Sequence, residues 1–248
     1  MRIGKKPLMI LRNQRVEIPG IVSPEDLAFV ISTASQYSPW AAATISEGYI
    51  TCAGGHRIGI CGEAVCRDGL VAGVRTPTSL CIRVARDFYG IAGGCENLPG
   101  NILIIGPPGS GKTTLLRDLI RRKSNNGQGS IAVIDERREI FPFAQGRSCF
   151  AEGQNTDIMS GAPKPLGVDM VLRTMGPACI AMDEITNERD ADALLQAAWN
   201  GVGLVATAHA GSLAELHRRI VYRTILQGGV FHSVIILSPD KSWTVEGL

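Results

Sequence analysis

No Cys-x-x-Cys pair occurs among the seven cysteines (Cys52, Cys61, Cys66, Cys81, Cys95, Cys149 and Cys179), and no histidine stands near them at zinc-ligand spacing. A structural zinc site is therefore not expected. An odd number of cysteines, several in apolar strand-like runs, points to buried, reduced thiols in a cytoplasmic protein. Also missing is any apolar run of bilayer length. Apolar stretches such as those around Ile102–Ile105 and Ser233–Leu237 are strand-sized, so direct membrane insertion is not expected. No apolar h-region follows Met1-Arg2-Ile3-Gly4-Lys5-Lys6-Pro7, so no signal peptide is expected. The net charge of +2 is too small to argue by itself for nucleic acid or an anionic membrane. What the chain does have is a globular balance of 45% apolar and 19% charged residues over 248 positions, enough for one large domain or two modest ones.

The first ninety or so residues read as a small α+β domain. Ser23-Pro24-Glu25-Asp26 combines a serine cap, a proline at the first helical position and acids facing the positive end of the dipole. Leu27, Val30, Ile31 and Ala34 follow at helical spacing. A second helix is expected from Ser38-Pro39 to near Gly48. Strands are expected over Tyr49–Cys52, Arg57–Cys66, Leu70–Val74 and Ser79–Val84, with a hairpin at Asp68-Gly69, where both residue types tolerate positive φ. Pattern is lost between Ile91 and Pro99, and the domain boundary is placed there, giving domains 1–92 and 93–248.

Beyond the boundary, strands and helices alternate. Strands are expected at Ile102–Ile105, Ile131–Ile134, Cys179–Met182, Gly203–Thr207 and Ser233–Leu237. Helices are expected at Lys112–Lys123, near Pro165–Met175, at Glu188–Asn200 and at Leu213–Tyr222. Such alternation predicts a parallel sheet with helices on both faces and a ligand at the carboxyl ends of the strands. Every chemical motif in the chain falls at such an end.

The first is Gly106-Pro107-Pro108-Gly109-Ser110-Gly111-Lys112-Thr113-Thr114, a full G-x-x-x-x-G-K-[ST] P-loop. Its glycines allow the backbone to wrap phosphate more closely than a Cβ would permit, and the following helix N-terminus supplies donors and partial positive charge. Lys112 is expected on the β- and γ-phosphates of ATP and the Thr113 hydroxyl on Mg²⁺. The second is Asp183-Glu184 after Cys179-Ile180-Ala181-Met182. Asp183 fits the metal's hydration shell and Glu184 the general base toward the attacking water. A third tip, Asp135-Glu136-Arg137-Arg138-Glu139, and a fourth, Thr207-Ala208-His209, each balance a solvated or structural role against a catalytic one.

The four tips in this order resemble the type II and type IV secretion ATPases and pilus motors. Asp135-Glu136 looks like their acidic box, Asp183-Glu184 like the end of Walker B, and Thr207-Ala208-His209-Ala210-Gly211-Ser212 like their histidine box. Asp183 departs from those motors, which commonly carry glycine there. Closer still is the resemblance to the stage III sporulation protein AA family. It is carried by Arg2-Ile3-Gly4-Lys5-Lys6-Pro7-Leu8-Met9, Gly54-Gly55-His56-Arg57-Ile58-Gly59-Ile60-Cys61-Gly62 and Ser79-Leu80-Cys81-Ile82-Arg83-Val84-Ala85-Arg86. It implies a RecA-like core behind a smaller domain, and Glu136 and His209 placing water and metal for Glu184. Members of that family are expected to carry a further helical segment before the stretch matching Arg2-Ile3-Gly4, which is a departure because this sequence starts there. The resemblance also implies a homo-oligomeric ring, taken as a hexamer, with candidate trans arginines at Arg57, Arg75, Arg83 and Arg86. Its partners would be membrane-embedded proteins of a sporulation or secretion apparatus, at the inner membrane of the mother cell. Two alternatives stand beside this motor. One is a nucleic-acid-binding ATPase using Arg117, Arg121, Arg122 and Lys123 or Arg218-Arg219. Neither stretch interleaves the aromatics that stack bases, so nucleic acid is not expected and a solvated helix face is. The other is a nucleotide switch without hydrolysis.

Overall fold

The structure is a computed structural model, and it describes residues 1–11, 14–35, 48–127, 129–144 and 147–248. The helix expected from Ser38 to Gly48 lies outside the described residues. The chain divides into two compact units, Met1–Arg86 with Pro142–Phe150, and Asp87–Phe141 with Ala151–Leu248.

The smaller unit opens with an antiparallel pair, β1 (Leu8–Leu11) and β2 (Gln14–Glu17), followed by α1 (Pro24–Ser35). The start of α1 is a reciprocal cap: the Asp26 amide donates to Ser23 Oγ at 3.2 Å and the Ser23 amide to Asp26 Oδ2 at 2.8 Å. A three-stranded antiparallel sheet follows, β3 (Tyr49–Cys52), β4 (His56–Arg67) and β5 (Leu70–Arg83). Asp68 and Gly69 turn between β4 and β5 at φ of 51° and 77°, the left-handed pair that a two-residue hairpin requires. The core of this unit is Val22, Leu27, Ile50, Ile58, Ile60 and Leu80. A short hairpin, β8 (Phe143–Ala144) and β9 (Arg147–Ser148), also belongs to this unit, although its sequence interrupts the larger one.

Two expectations are corrected here. Leu70–Val74 and Ser79–Val84 are not separate strands but stretches of β5. The register against β4 shifts between Cys61 and Glu63, and Thr76 takes φ 47°. Gly62 sits at this irregularity, where a Cβ would lie 2.6 Å from the Thr76 carbonyl. Nor are the cysteines uniformly buried. Cys61, Cys66 and Cys81 are exposed and only Cys95 is fully buried. Ile60 and Leu80 point into the core, so their neighbours Cys61 and Cys81 point out of it.

The larger unit is built on a seven-stranded sheet of β6 (Ile102–Gly106), β7 (Ile131–Asp135), β10 (Thr156–Ser160), β11 (Cys179–Met182), β12 (Gly203–His209), β13 (Ser233–Leu237) and β14 (Trp243–Gly247). The order across the sheet is β10-β7-β11-β12-β6-β13-β14, parallel throughout except for β14. One face carries Leu103, Ile105, Ile134, Ile180, Met182 and Ala206. They pack against residues of α3 (Lys164–Thr174), α4 (Glu188–Trp199) and α6 (Ile220–Gln227), among them Val168, Leu194 and Ile225. Strand alternation turns Ile102 and Ile104 to the opposite face. There α2 (Lys112–Asn125) buries Leu115, Leu116, Leu119 and Ile120. The helix expected over Leu213–Tyr222 is two, α5 (Leu213–Arg218) and α6, because Arg219 between them is extended at φ −85°, ψ 123°.

The basic run on α2 is not a solvated face. Arg117 and Arg121 are buried. Arg121 donates to Asp87 Oδ2 at 2.9 Å, Asp118 Oδ1 at 2.8 Å and the Phe88 carbonyl at 2.7 Å, and it stacks on Tyr89. Asp118 accepts from the amides of Gly90 and Ala92, and Arg122 pairs with Glu96. These charges tie the segment after Arg86 onto the P-loop helix and are not free for phosphates of a nucleic acid.

Candidate nucleotide and catalytic site

Adjacent parallel strands lie about 4.8 Å apart, so the order β7-β11-β12-β6 sets four sequence motifs side by side at their carboxyl ends. Register refines this: Met182 pairs with Ile134 on one side and Ala206 on the other, and His209 pairs with Gly106. Asp183 thus leaves the sheet level with Asp135 and Thr207.

The loop after β6 has the geometry that its glycines suggest. Gly109 and Gly111 take φ of 76° and 102°, and a Cβ at either would meet nothing within 4 Å. The loop side of each is open. Gly106 is the reverse case, since its Cβ would fall 2.6 Å from Ser110 Oγ and 2.9 Å from the Leu237 carbonyl. Ser110 Oγ is buried and has no hydrogen-bond partner among the described residues, an orphaned donor inside a loop that would surround phosphate. Lys112, the first residue of α2, is buried. Its ammonium donates to the carbonyls of Gly106 at 2.9 Å and Pro107 at 3.0 Å, and to His209 Nδ1 at 3.0 Å. Burial pulls its pKa down, opposed by Asp183 and Glu184.

An ammonium only donates, so His209 Nδ1 accepts and Nε2 carries the ring proton. That nitrogen lies 3.1 Å from Glu184 Oε1. The other oxygen, Oε2, takes Arg137 at 2.8 Å. Thr113 donates to Asp183 Oδ2 at 2.7 Å. Thr207, fully buried, donates to Asp183 Oδ1 and accepts the Glu184 amide. The Thr113 hydroxyl and the Asp183 carboxylate form a hard-oxygen pair at the mouth of the P-loop, the donor chemistry that Mg²⁺ prefers.

Of the residues singled out in the sequence, Lys112, Thr113, Asp183, Glu184 and His209 form one contiguous network. Glu136 lies in the cleft lined by Asp135, Arg137, Lys164, Asp183 and Glu184, and it pairs with Lys164 at 3.3 Å. Asp135, at the floor of that cleft, is engaged by backbone. Its buried carboxylate accepts the amides of Glu139, Ile140 and Phe141, and burial raises its pKa against those donors. Arg57, Arg75, Arg83 and Arg86 belong to the smaller unit. Arg57 lies over the Tyr49 ring, and Arg75 pairs with Glu63 in the open.

Sequence reasoning assigned no individual role to three residues here. Lys164, buried at the start of α3, bridges Glu136 and Asp190, and Asp190 also takes the amide and hydroxyl of Thr186. Tyr222 accepts the His209 amide at 3.2 Å and donates to the Ile185 carbonyl at 3.3 Å. Arg137 holds Glu184. No local signal marks any of them, because each partner lies far away in sequence.

Comparison with known proteins agrees with this architecture. The family described as "Sporulation stage III, protein AA" matches residues 1–248. Stage III sporulation protein AA of Bacillus subtilis is 36% identical over 251 aligned residues, covering 97% of this chain and 82% of that protein. Among solved structures, the Legionella pneumophila ATPase DotB superposes with a TM-score of 0.61 at 17% identity, covering 99% of this chain and 74% of that one. The pilus retraction motor PilT, solved with bound ADP, gives a TM-score of 0.65 at 16% identity, covering 96% and 72%. The fold is that of RecA-like secretion ATPases with an N-terminal domain.

Proposed function

The chain belongs to the stage III sporulation protein AA family, and from that premise we propose that it hydrolyses ATP as a subunit of a ring. The ring drives a membrane-embedded apparatus during endospore formation. The observation that carries the proposal is the convergence of Lys112, Thr113, Asp183, Glu184 and His209 at neighbouring strand ends. Among the described residues no helix is long and apolar enough to cross a membrane. The proposal assigns the membrane component to a partner.

Lys112 and the amides of the Gly106–Thr114 loop hold the phosphates of ATP, which Lys112 reaches by leaving the two loop carbonyls. Thr113 and Asp183 hold Mg²⁺, which when bound draws charge from the phosphate oxygens. Glu184 accepts a proton from water. The water oxygen bonds to the γ-phosphorus as the bond from that phosphorus to the β–γ bridging oxygen breaks, and the electron pair leaves with ADP. His209 links Lys112 to Glu184 and so connects phosphate contact with the base. Glu136, held by Lys164, contributes to the placement of water. Arg57, Arg75, Arg83 and Arg86 are the candidates for neutralising charge in a neighbouring subunit's site.

Phosphate release per subunit, measured across protein concentrations, tests the ring. Turnover that rises with concentration supports an intersubunit site. Maximal turnover in a demonstrated monomer excludes it.

A further inference from the structure

Glu184 leaves β11 at φ 53°, a conformation strained for a residue with a side chain. Its backbone is pinned there by Thr207, whose hydroxyl takes the Glu184 amide at 2.7 Å and whose carbonyl takes the Ile185 amide at 2.9 Å. Each carboxylate oxygen then has a partner from a different strand end, His209 as the last residue of β12 and Arg137 after β7.

An exposed ion pair ordinarily contributes little, because two long side chains must be ordered against solvent. Arg137 is 56% exposed. Its turn, however, is fixed by two buried charged groups. The Asp135 carboxylate collects the amides of Glu139, Ile140 and Phe141 at 2.8, 3.1 and 2.8 Å. From the other side, Arg117 donates to the carbonyls of Glu139 and Ile140. Within the turn, the Arg138 amide returns to the Asp135 carbonyl, and Arg138 itself is left-handed at φ 55°. The fold therefore orders the backbone that presents Arg137, and only the side chain remains to be placed. A guanidinium presents its donors in a planar fork, which fixes the plane of a carboxylate as a lysine ammonium cannot.

We propose that Arg137 is a positioning residue for Glu184. It anchors Oε2 and so keeps Oε1 on His209, holding the carboxylate in one orientation at the mouth of the P-loop. The assignment rests on Glu184 being the base of the proposed hydrolysis. It differs from the charge-neutralising role sought in the smaller unit, since Arg137 belongs to the same unit as the base and acts through it.

The test is steady-state ATP turnover by the full chain as wild type, Arg137→Ala, Arg137→Lys and Glu184→Gln, with thermal unfolding of each. Misorientation of a reacting group without loss of binding is expected to lower kcat of Arg137→Ala about 10- to 100-fold and leave KM within about twofold. Arg137→Lys, keeping charge but not the fork, should recover part of that loss. Wild-type kcat in Arg137→Ala, with Glu184→Gln inactive, overturns the role of Arg137 and leaves the base standing. Wild-type turnover in Glu184→Gln overturns the base assignment and the proposal with it. A kcat loss accompanied by a comparable rise in KM and a fall in unfolding temperature in both Arg137 variants makes the residue merely structural and also overturns the proposal.

Discussion

Replacing Arg121 by methionine removes a guanidinium and keeps most of its apolar stem. The side chain is 7% exposed, as against 2% for Asp118 and 12% for Asp87. Breaking a buried pair by removing one partner costs about 3–5 kcal/mol, because a desolvated charge is left behind. The lower end applies here. Asp118 keeps the amides of Gly90 and Ala92 at 3.2 and 2.8 Å, and among the described residues Asp87 keeps a long hydrogen bond from the Ala151 amide at 3.4 Å. A loss of about 3 kcal/mol corresponds to a fall of roughly 6–12 °C in unfolding temperature for a chain of this size. Urea unfolding followed by far-ultraviolet circular dichroism measures it, with Arg75→Ala as the control. Arg75 and Glu63 are 67% and 56% exposed, so solvent screens their pairing and that change should leave the urea midpoint nearly unmoved. Adding Asp87→Asn to Arg121→Met should recover part of the loss by removing one stranded charge. If Arg121→Met costs no more than Arg75→Ala, the account of α2 as a buried charged clasp is refuted.

Glu96, paired with Arg122, is held at a pKa of about 2 against an ordinary 4.5. A depressed carboxyl contributes stability that is fully present above 4.5 and is lost as pH falls toward 2. Urea midpoints between those pH values should therefore fall less steeply in Glu96→Gln than in the wild type. Tyr222→Phe deletes the hydroxyl that joins the His209 amide to the Ile185 carbonyl. It should cost about 1–3 kcal/mol in unfolding free energy and lower ATP turnover with the ring packing kept. An unchanged turnover would show that this tie does not set the position of His209. Lys112→Ala should abolish ATP binding by calorimetry, and retained affinity would remove the P-loop from the account.

The parallel core was readable because Ile102–Ile105, Ile131–Ile134 and Cys179–Met182 are unbroken apolar runs, as strands buried on both faces must be. The edges were not. Thr156-Asp157-Ile158-Met159-Ser160 is only half-buried and alternates too weakly to declare β10. Trp243–Gly247 pairs on one side only, and its mostly exposed residues carry no core pattern. The break at Arg219 has no glycine or proline to announce it, since the extended residue lies inside His217-Arg218-Arg219-Ile220. At the site, the residue types at strand ends were legible because a P-loop fixes its spacing locally. The pairings were not. Arg137 and Glu184 are 47 positions apart, and only the β7–β11 register brings them together. Lys164 read as one more residue before a helix, and its burial against Glu136 depends on how α3 packs. The arginines of α2 looked solvated because the acids that bury them, Asp87 and Glu96, lie before the P-loop in a segment without periodicity.

The most direct measurement is paired binding and turnover of ATP by wild type and Glu184→Gln. Glutamine keeps the shape and removes the base. The account predicts that Glu184→Gln binds ATP with Mg²⁺ as tightly as the wild type while phosphate release falls at least about 100-fold. Phosphate release by Glu184→Gln at the wild-type rate would contradict it, because the carboxylate between His209 and Arg137 would then take no part in the chemistry.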